Sequence, residues 1–283
     1  SNTIDSYLSD IKSFEKYLIK RKISFKQIIH ENEILKKYFR YLSQSKISPT
    51  SIKRKYSSLS SYFSYLMDRK IIKKNPLNGI YTPKIKTKLP EILSYDEIKM
   101  IFRKSENTDN ELLGLRDRCI LELLYSCGLR VSELCELQLN NIQFDSNVIR
   151  FFGKGNKERI IPLTINAKEQ LETYLYQSRH ILVNRKSSDQ KYVFLSNNGK
   201  RLTRAAIWQS IKKYVNAAGI SKNVSPHTFR HSFATHLIDG EANIIEVQAL
   251  LGHSDISQTE LYIHLSRNSI NKEYMKAFDK KKN

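Results

Sequence analysis

Through the first seventy residues the apolar side chains recur at intervals of three and four, and no other feature constrains the fold as strongly. Ile4, Tyr7, Leu8, Ile11, Phe14, Tyr17 and Leu18 share one face of a helix running from Ile4 to about Lys20. Ile34 to Leu42 repeats the pattern. Pro49-Thr50 opens a third segment, in which Ile52, Tyr56, Leu59, Tyr62, Phe63 and Leu66 form the apolar stripe while Lys53, Arg54 and Lys55 cluster near its start. Strands would need a period of two, so the expectation is a small bundle of three or four short helices.

A different pattern follows. Asn75-Pro76 through Pro83 and Leu89-Pro90 lack periodicity, and Lys84, Lys86 and Lys88 alternate with apolar or small residues, which reads as an extended basic linker. Ser94 then stands as an N-cap with Glu97 three positions on, the pattern of a capping box that opens a second domain. Leu112 to Tyr125 and Val131 to Leu139 read as helices interrupted at Cys127-Gly128. Val148 to Phe152 and Arg159 to Leu163 read as strands around Gly153-Lys154-Gly155-Asn156-Lys157, and Tyr192 to Ser196 as one more strand. From Arg204 onward the pattern is almost wholly helical. The expected fold is therefore mainly α: a helical bundle over residues 1–83, a linker over 84–90, and a larger, mostly helical domain over 91–283 with a small β-hairpin or sheet.

Charge narrows the function. Forty-eight Lys and Arg against 28 Asp and Glu leave +20, of which residues 1–83 carry +11. Such a surplus seeks a polyanion, either a nucleic-acid backbone or an anionic membrane surface. The basic residues are spread over many short helices rather than forming one basic amphipathic face, which counts against the membrane. Neither an 18-residue apolar run nor a signal-peptide pattern occurs, so a cytoplasmic protein is expected. Cys119, Cys127 and Cys135 fit neither a CxxC zinc pair nor an even disulfide framework and read as reduced core thiols.

Four polar clusters stand out. Arg130 opens a helix beside Glu133, one turn on, an arrangement equally open to a plain surface ion pair. Lys154 sits at the hairpin tip between two glycines, where a lysine also serves solubility. In His227-Thr228-Phe229-Arg230-His231, Pro226 sets a helix start, and the i,i+3 spacing puts His227 and Arg230 on one face of its first turn, a face suited to phosphate. His227 and His231 are four apart as in HExxH, but Arg230 would repel a cation and no glutamate fills the base position, so no metal is expected; a structural histidine pair stays open. The last cluster is Leu251-Gly252-His253-Ser254 with Tyr262 nine residues after His253, a tyrosine whose phenol needs cationic neighbours to become a nucleophile.

Together these motifs resemble those of the tyrosine recombinase (phage integrase) family, in particular its Xer-like members. The resemblance runs through Cys127-Gly128-Leu129-Arg130-Val131-Ser132-Glu133-Leu134, Gly153 to Arg159, His227 to Thr235, Leu251 to Ser254 and Tyr262-Ile263-His264. It implies that Arg130 and Arg230 clamp a phosphate, that Lys154, His227 and His253 complete the catalytic set, and that Tyr262 is the nucleophile. Glu133 and His231 are implied as supporting residues. Relative to the family pattern a helix upstream of Asn2-Thr3 is expected, without which the first domain's clamp would be incomplete, and Cys127 stands where a Thr or similar small residue is common.

The resemblance further implies a core-binding domain and a catalytic domain that grip a double-stranded DNA recombination site. Lys53, Arg54, Lys55, Lys84, Lys86 and Lys88 are the candidate DNA contacts. Cleavage would pass through a 3′-phosphotyrosyl intermediate without metal or other cofactor, in a homo-tetramer or a hetero-tetramer with a related recombinase. Chromosome dimer resolution and mobile-element integration or excision share that chemistry. The rival readings are relaxation or resolution of DNA in the manner of a type IB topoisomerase, and a catalytically inert DNA-binding accessory factor.

Overall fold

The computed structural model describes residues 2–30, 32–45, 47–80, 91–152, 158–183, 187–240, 242–243 and 247. Lys84, Lys86, Lys88, Lys154, His253 and Tyr262 lie outside these residues, as do residues 248–283 of the helical stretch expected from Arg204 onward. The chain divides into two compact units, Ser1–Lys88 and Leu89–Asn283.

In the first unit four helices, α1 (Asn2–Lys20), α2 (Phe25–His30), α3 (Asn32–Gln44) and α4 (Pro49–Asp68), close around one apolar core. Phe14, Leu35, Tyr38, Leu42, Ile52, Leu59 and Phe63 are almost fully excluded from solvent. Pro49 begins α4 because its missing N–H costs nothing there, and the Ser48 hydroxyl accepts from the Ser51 N–H at 3.2 Å. One polar residue enters the core side of α1. Asp10 is 2% exposed and accepts from Ser58 Oγ at 2.9 Å and Lys55 Nζ at 3.0 Å, and also pairs with Arg54. These donors offset the cost of burying its charge.

The second unit is built on α6 (Glu111–Ser126), which packs against α5 (Tyr95–Glu106), α8 (Ile165–Thr173), α10 (Arg204–Ala217) and α11 (Pro226–Asp239). Most of its length is buried, and even its polar residues are satisfied internally: Arg116 donates to Asp117 Oδ1 at 2.8 Å, and Tyr214 Oη donates to Asp117 Oδ2 at 3.0 Å. The capping box at Ser94 and Glu97 forms as expected and opens α5. Cys119, Cys127 and Cys135 are buried free thiols.

After α7 (Val131–Glu136) a three-stranded antiparallel sheet follows, β1 (Ile142–Gln143), β2 (Val148–Phe152) and β3 (Glu158–Pro162), in that spatial order. Its β2–β3 register sets Phe151 opposite Arg159 and Arg150 opposite Ile160. Helix α8 continues through a wider turn at Tyr174–Arg179 into the short α9 (His180–Leu182).

Two local expectations are corrected. The helix expected over Val131 to Leu139 ends at Glu136, because Leu137 turns extended and its carbonyl accepts from the Val193 N–H at 2.8 Å. Tyr192 to Ser196 is not a strand of the sheet: it makes isolated bridges, Gln138 with Tyr192 and Leu195 with Arg201, and folds back on itself through Ser196 N–H to Lys200 O at 2.7 Å. Among the described residues no helix is long and apolar enough to cross a membrane.

Candidate active site

The site begins where α6 stops. Gly128 takes φ +56°, a left-handed conformation that suits a residue without Cβ, and the chain then turns so that Arg130 caps α7. The Glu133 carboxylate is held by that cap. Its Oε2 accepts from the Arg130 backbone N–H at 2.7 Å and its Oε1 from the Arg130 guanidinium at 2.8 Å. Arg159, on β3, donates to the same Oε1. Arg230, on the first turn of α11, donates to the carbonyl of Gly128, the residue that turned the chain. Three elements far apart in sequence thus deliver three arginines to one place.

The electrostatics there are costly. Arg230 has its pKa pushed down to about 10, first by burial and then by the neighbouring charges of Arg130 and Arg159, with Glu133 opposing. Among the described residues, three guanidiniums therefore gather around one carboxylate. A fold does not concentrate like charges for its own stability, and the arrangement suits an incoming anion. Guanidinium forks match the paired oxygens of a phosphate, which an ammonium group cannot do bidentately.

Helix α11 presents the histidines. Ser225 is its N-cap, Pro226 its first residue, and the Ser225 N–H donates to Thr228 Oγ1 at 3.1 Å. His227 is exposed and shares the first-turn face with Arg230, and His231 is exposed one turn on. Of the residues expected to carry chemistry, the structure brings together Arg130, Glu133 and Arg230 and sets His227 on the same helix turn as Arg230.

Sequence reasoning missed Arg159 as a site residue. It stood within the Gly153 to Arg159 motif, but only the β2–β3 register carries it to Glu133. Sequence reasoning also passed over His236, which is 6% exposed, stacks on Tyr95 at a centroid distance of 3.9 Å and meets Tyr125 Oη at 3.0 Å through Nδ1. In the first unit, two of the three clustered cations, Arg54 and Lys55, have Asp10 as an acidic partner, while Lys53 is exposed.

Residues 91–269 match the phage integrase family, and residues 1–70 match its N-terminal SAM-like domain. The chain belongs to the phage integrase family, the tyrosine recombinases. It is 40% identical over 274 residues to tyrosine recombinase XerD of Staphylococcus epidermidis, covering 97% of this chain and 91% of that protein. Among solved structures, XerA recombinase is 26% identical with a TM-score of 0.52, covering 98% of this chain and 91% of that one. The fold also matches XerH site-specific recombinase in its post-cleavage complex on a palindromic difH substrate, with a TM-score of 0.72 and 22% identity over 98% of this chain and 80% of that one. The mainly helical architecture with its small sheet is thus that of the tyrosine recombinases, and the chain is a site-specific recombinase of Xer-like type. Arg130, Lys154, His227, Arg230, His253 and Tyr262 all fall within the matched range 91–269.

Proposed function

We propose that this recombinase cleaves and rejoins double-stranded DNA at a specific site through a 3′-phosphotyrosyl link to Tyr262. The observation that carries the reading is the convergence of Arg130, Arg159 and Arg230 on Glu133, a positive excess that the fold sustains at a cost. Arg130 and Arg230 hold the nonbridging oxygens of the scissile phosphate, where negative charge grows as the pentavalent state forms. The Tyr262 oxygen attacks phosphorus while its proton passes to His227, and His253 adds a hydrogen bond to the phosphate. The P–O5′ bond breaks, and Lys154 gives the departing oxygen its proton. Bond energy is kept in the phosphotyrosine, so the 5′-hydroxyl of another strand reverses each step and releases the tyrosine.

The exposed Lys53 and the linker lysines Lys84, Lys86 and Lys88 grip the backbone without reading sequence. The XerH structure named above is of a recombinase bound to its palindromic difH substrate; a two-fold symmetric site of that kind accommodates two protomers, and two such sites brought together accommodate a tetramer. Strand exchange between two differently labelled duplexes tests the reading: a recombinase yields hybrid products, whereas a protein acting like a type IB topoisomerase relaxes supercoils and yields none.

A further inference from the structure

We infer that Arg159 is a positioning residue for Arg130, acting through the shared Glu133 carboxylate and coupling the β2–β3 hairpin to the phosphate clamp. The inference rests on the functional reading above and deepens it. Glu133 Oε2 is engaged by the Arg130 backbone N–H, so Oε1 is the oxygen that receives both guanidiniums. One atom thereby sets the spacing of two cations that repel each other. Their exposures differ. The Arg159 side chain is 11% exposed and that of Arg130 39%, which makes Arg159 the more enclosed anchor and Arg130 the accessible arm.

Sharing matters for the chemistry. With Arg159 in place, the carboxylate's charge is divided between two guanidiniums and Arg130 retains more field for a developing oxyanion. Without it, Glu133 gives more of its charge to Arg130, so the arm is more fully neutralised, and the carboxylate that aims the arm is itself held at one point fewer. Arg159 also stands on the strand that directly follows residues 153–157, the stretch holding Lys154, and opposite Phe151 across the ladder. Strand β3 and the candidate clamp therefore meet at a single hydrogen-bonded carboxylate. A planar fork has the geometry for this, and a lysine keeps the charge but loses the second donor direction.

The test uses the full chain and the nicked duplex most often recovered as a covalent adduct from a pool with randomised flanking sequence. Adduct formation by wild type establishes the functional reading, and its absence overturns that reading rather than this inference. Arg159→Gln is expected to slow adduct formation in the saturated complex about 10- to 100-fold, with noncovalent affinity held within about twofold. Arg159→Lys is expected to recover part of the loss. The double variant with Glu133→Gln is expected to be no slower than the slower single variant, because both act through one contact. Arg150→Gln serves as a control for hairpin stability, since Arg150 pairs with Glu158 across the same two strands at 2.8 Å without touching Glu133, and it is expected to react at the wild-type rate. An Arg159→Gln variant as fast as wild type, or an Arg150→Gln variant as slow as Arg159→Gln, overturns the inference.

Discussion

Arg130 is bound to Glu133 twice, through its backbone N–H at 2.7 Å and its guanidinium at 2.8 Å, so one carboxylate both caps α7 and aims a candidate catalytic side chain. The helix start and the site are a single construction. Removing the carboxylate disturbs both.

Glu133→Ala is accordingly expected to lower stability by about 1–3 kcal/mol, the cost of losing a part-buried charged cap together with its ion pairs. Adduct formation should fall by more than the fraction unfolded explains. Urea titration and single-turnover kinetics on the same preparation separate the two effects.

Arg230 illustrates the opposite balance. Its pKa falls from the ordinary 12.5 to about 10 because burial and two neighbouring arginines disfavour its charge. A base whose folded value is depressed costs stability while it is protonated, and at neutral pH it is protonated in both states. Arg230→Gln should therefore abolish cleavage yet raise the melting temperature by about 2–4 °C, the shift that ~1 kcal/mol gives in a unit of this size. Inorganic sulfate should narrow that gap by stabilising the wild type more than the variant, as read by scanning calorimetry.

His236 gives the second unit a dependence on pH. Burial lowers its pKa below the ordinary 6.5, with Asp239 opposing. Its contribution is complete above 6.5 and is lost as pH falls below that value, because the unfolded chain then takes up the proton first. The slope is at most about 1.4 kcal/mol per pH unit. Denaturant midpoints at pH 7 and pH 5.5 should differ less for His236→Gln than for wild type.

In the N-terminal unit two substitutions should part company. Asp10→Ala removes the buried partner of Arg54, Lys55 and Ser58 and should cost about 1–3 kcal/mol. Lys53→Gln touches only the exposed face and should leave the melting temperature unchanged. It should weaken DNA uniformly across sequences and reduce the salt slope of binding by about one.

What could be read in advance follows from the range of each interaction. The caps at Ser94 and Glu97 and at Arg130 and Glu133 are contacts three residues apart, so composition and spacing disclose them. The bundle helices were legible because burying one face needs only a period. Arg159 was not, since its meeting with Glu133, 26 residues away, depends on strand register and on where α6 ends. The pairing of Lys55 with Asp10 was not legible either, since Asp10 lies 45 residues upstream on another helix. The Tyr192 to Ser196 segment has the composition of a strand, yet its backbone pairs with its own return and with Leu137 and Gln138 rather than with the sheet. Tertiary neighbours, which no local pattern encodes, decided all three.

Attack by Tyr262 on a phosphate held by Arg130 and Arg230 leaves a covalent complex that can be trapped. Wild type and Tyr262→Phe are incubated with the nicked suicide duplex and run on a denaturing gel. A retarded protein–DNA adduct is expected for wild type and none for the variant, with both binding the duplex equally under native conditions. An adduct formed by Tyr262→Phe, or none formed by wild type, would contradict attack by Tyr262.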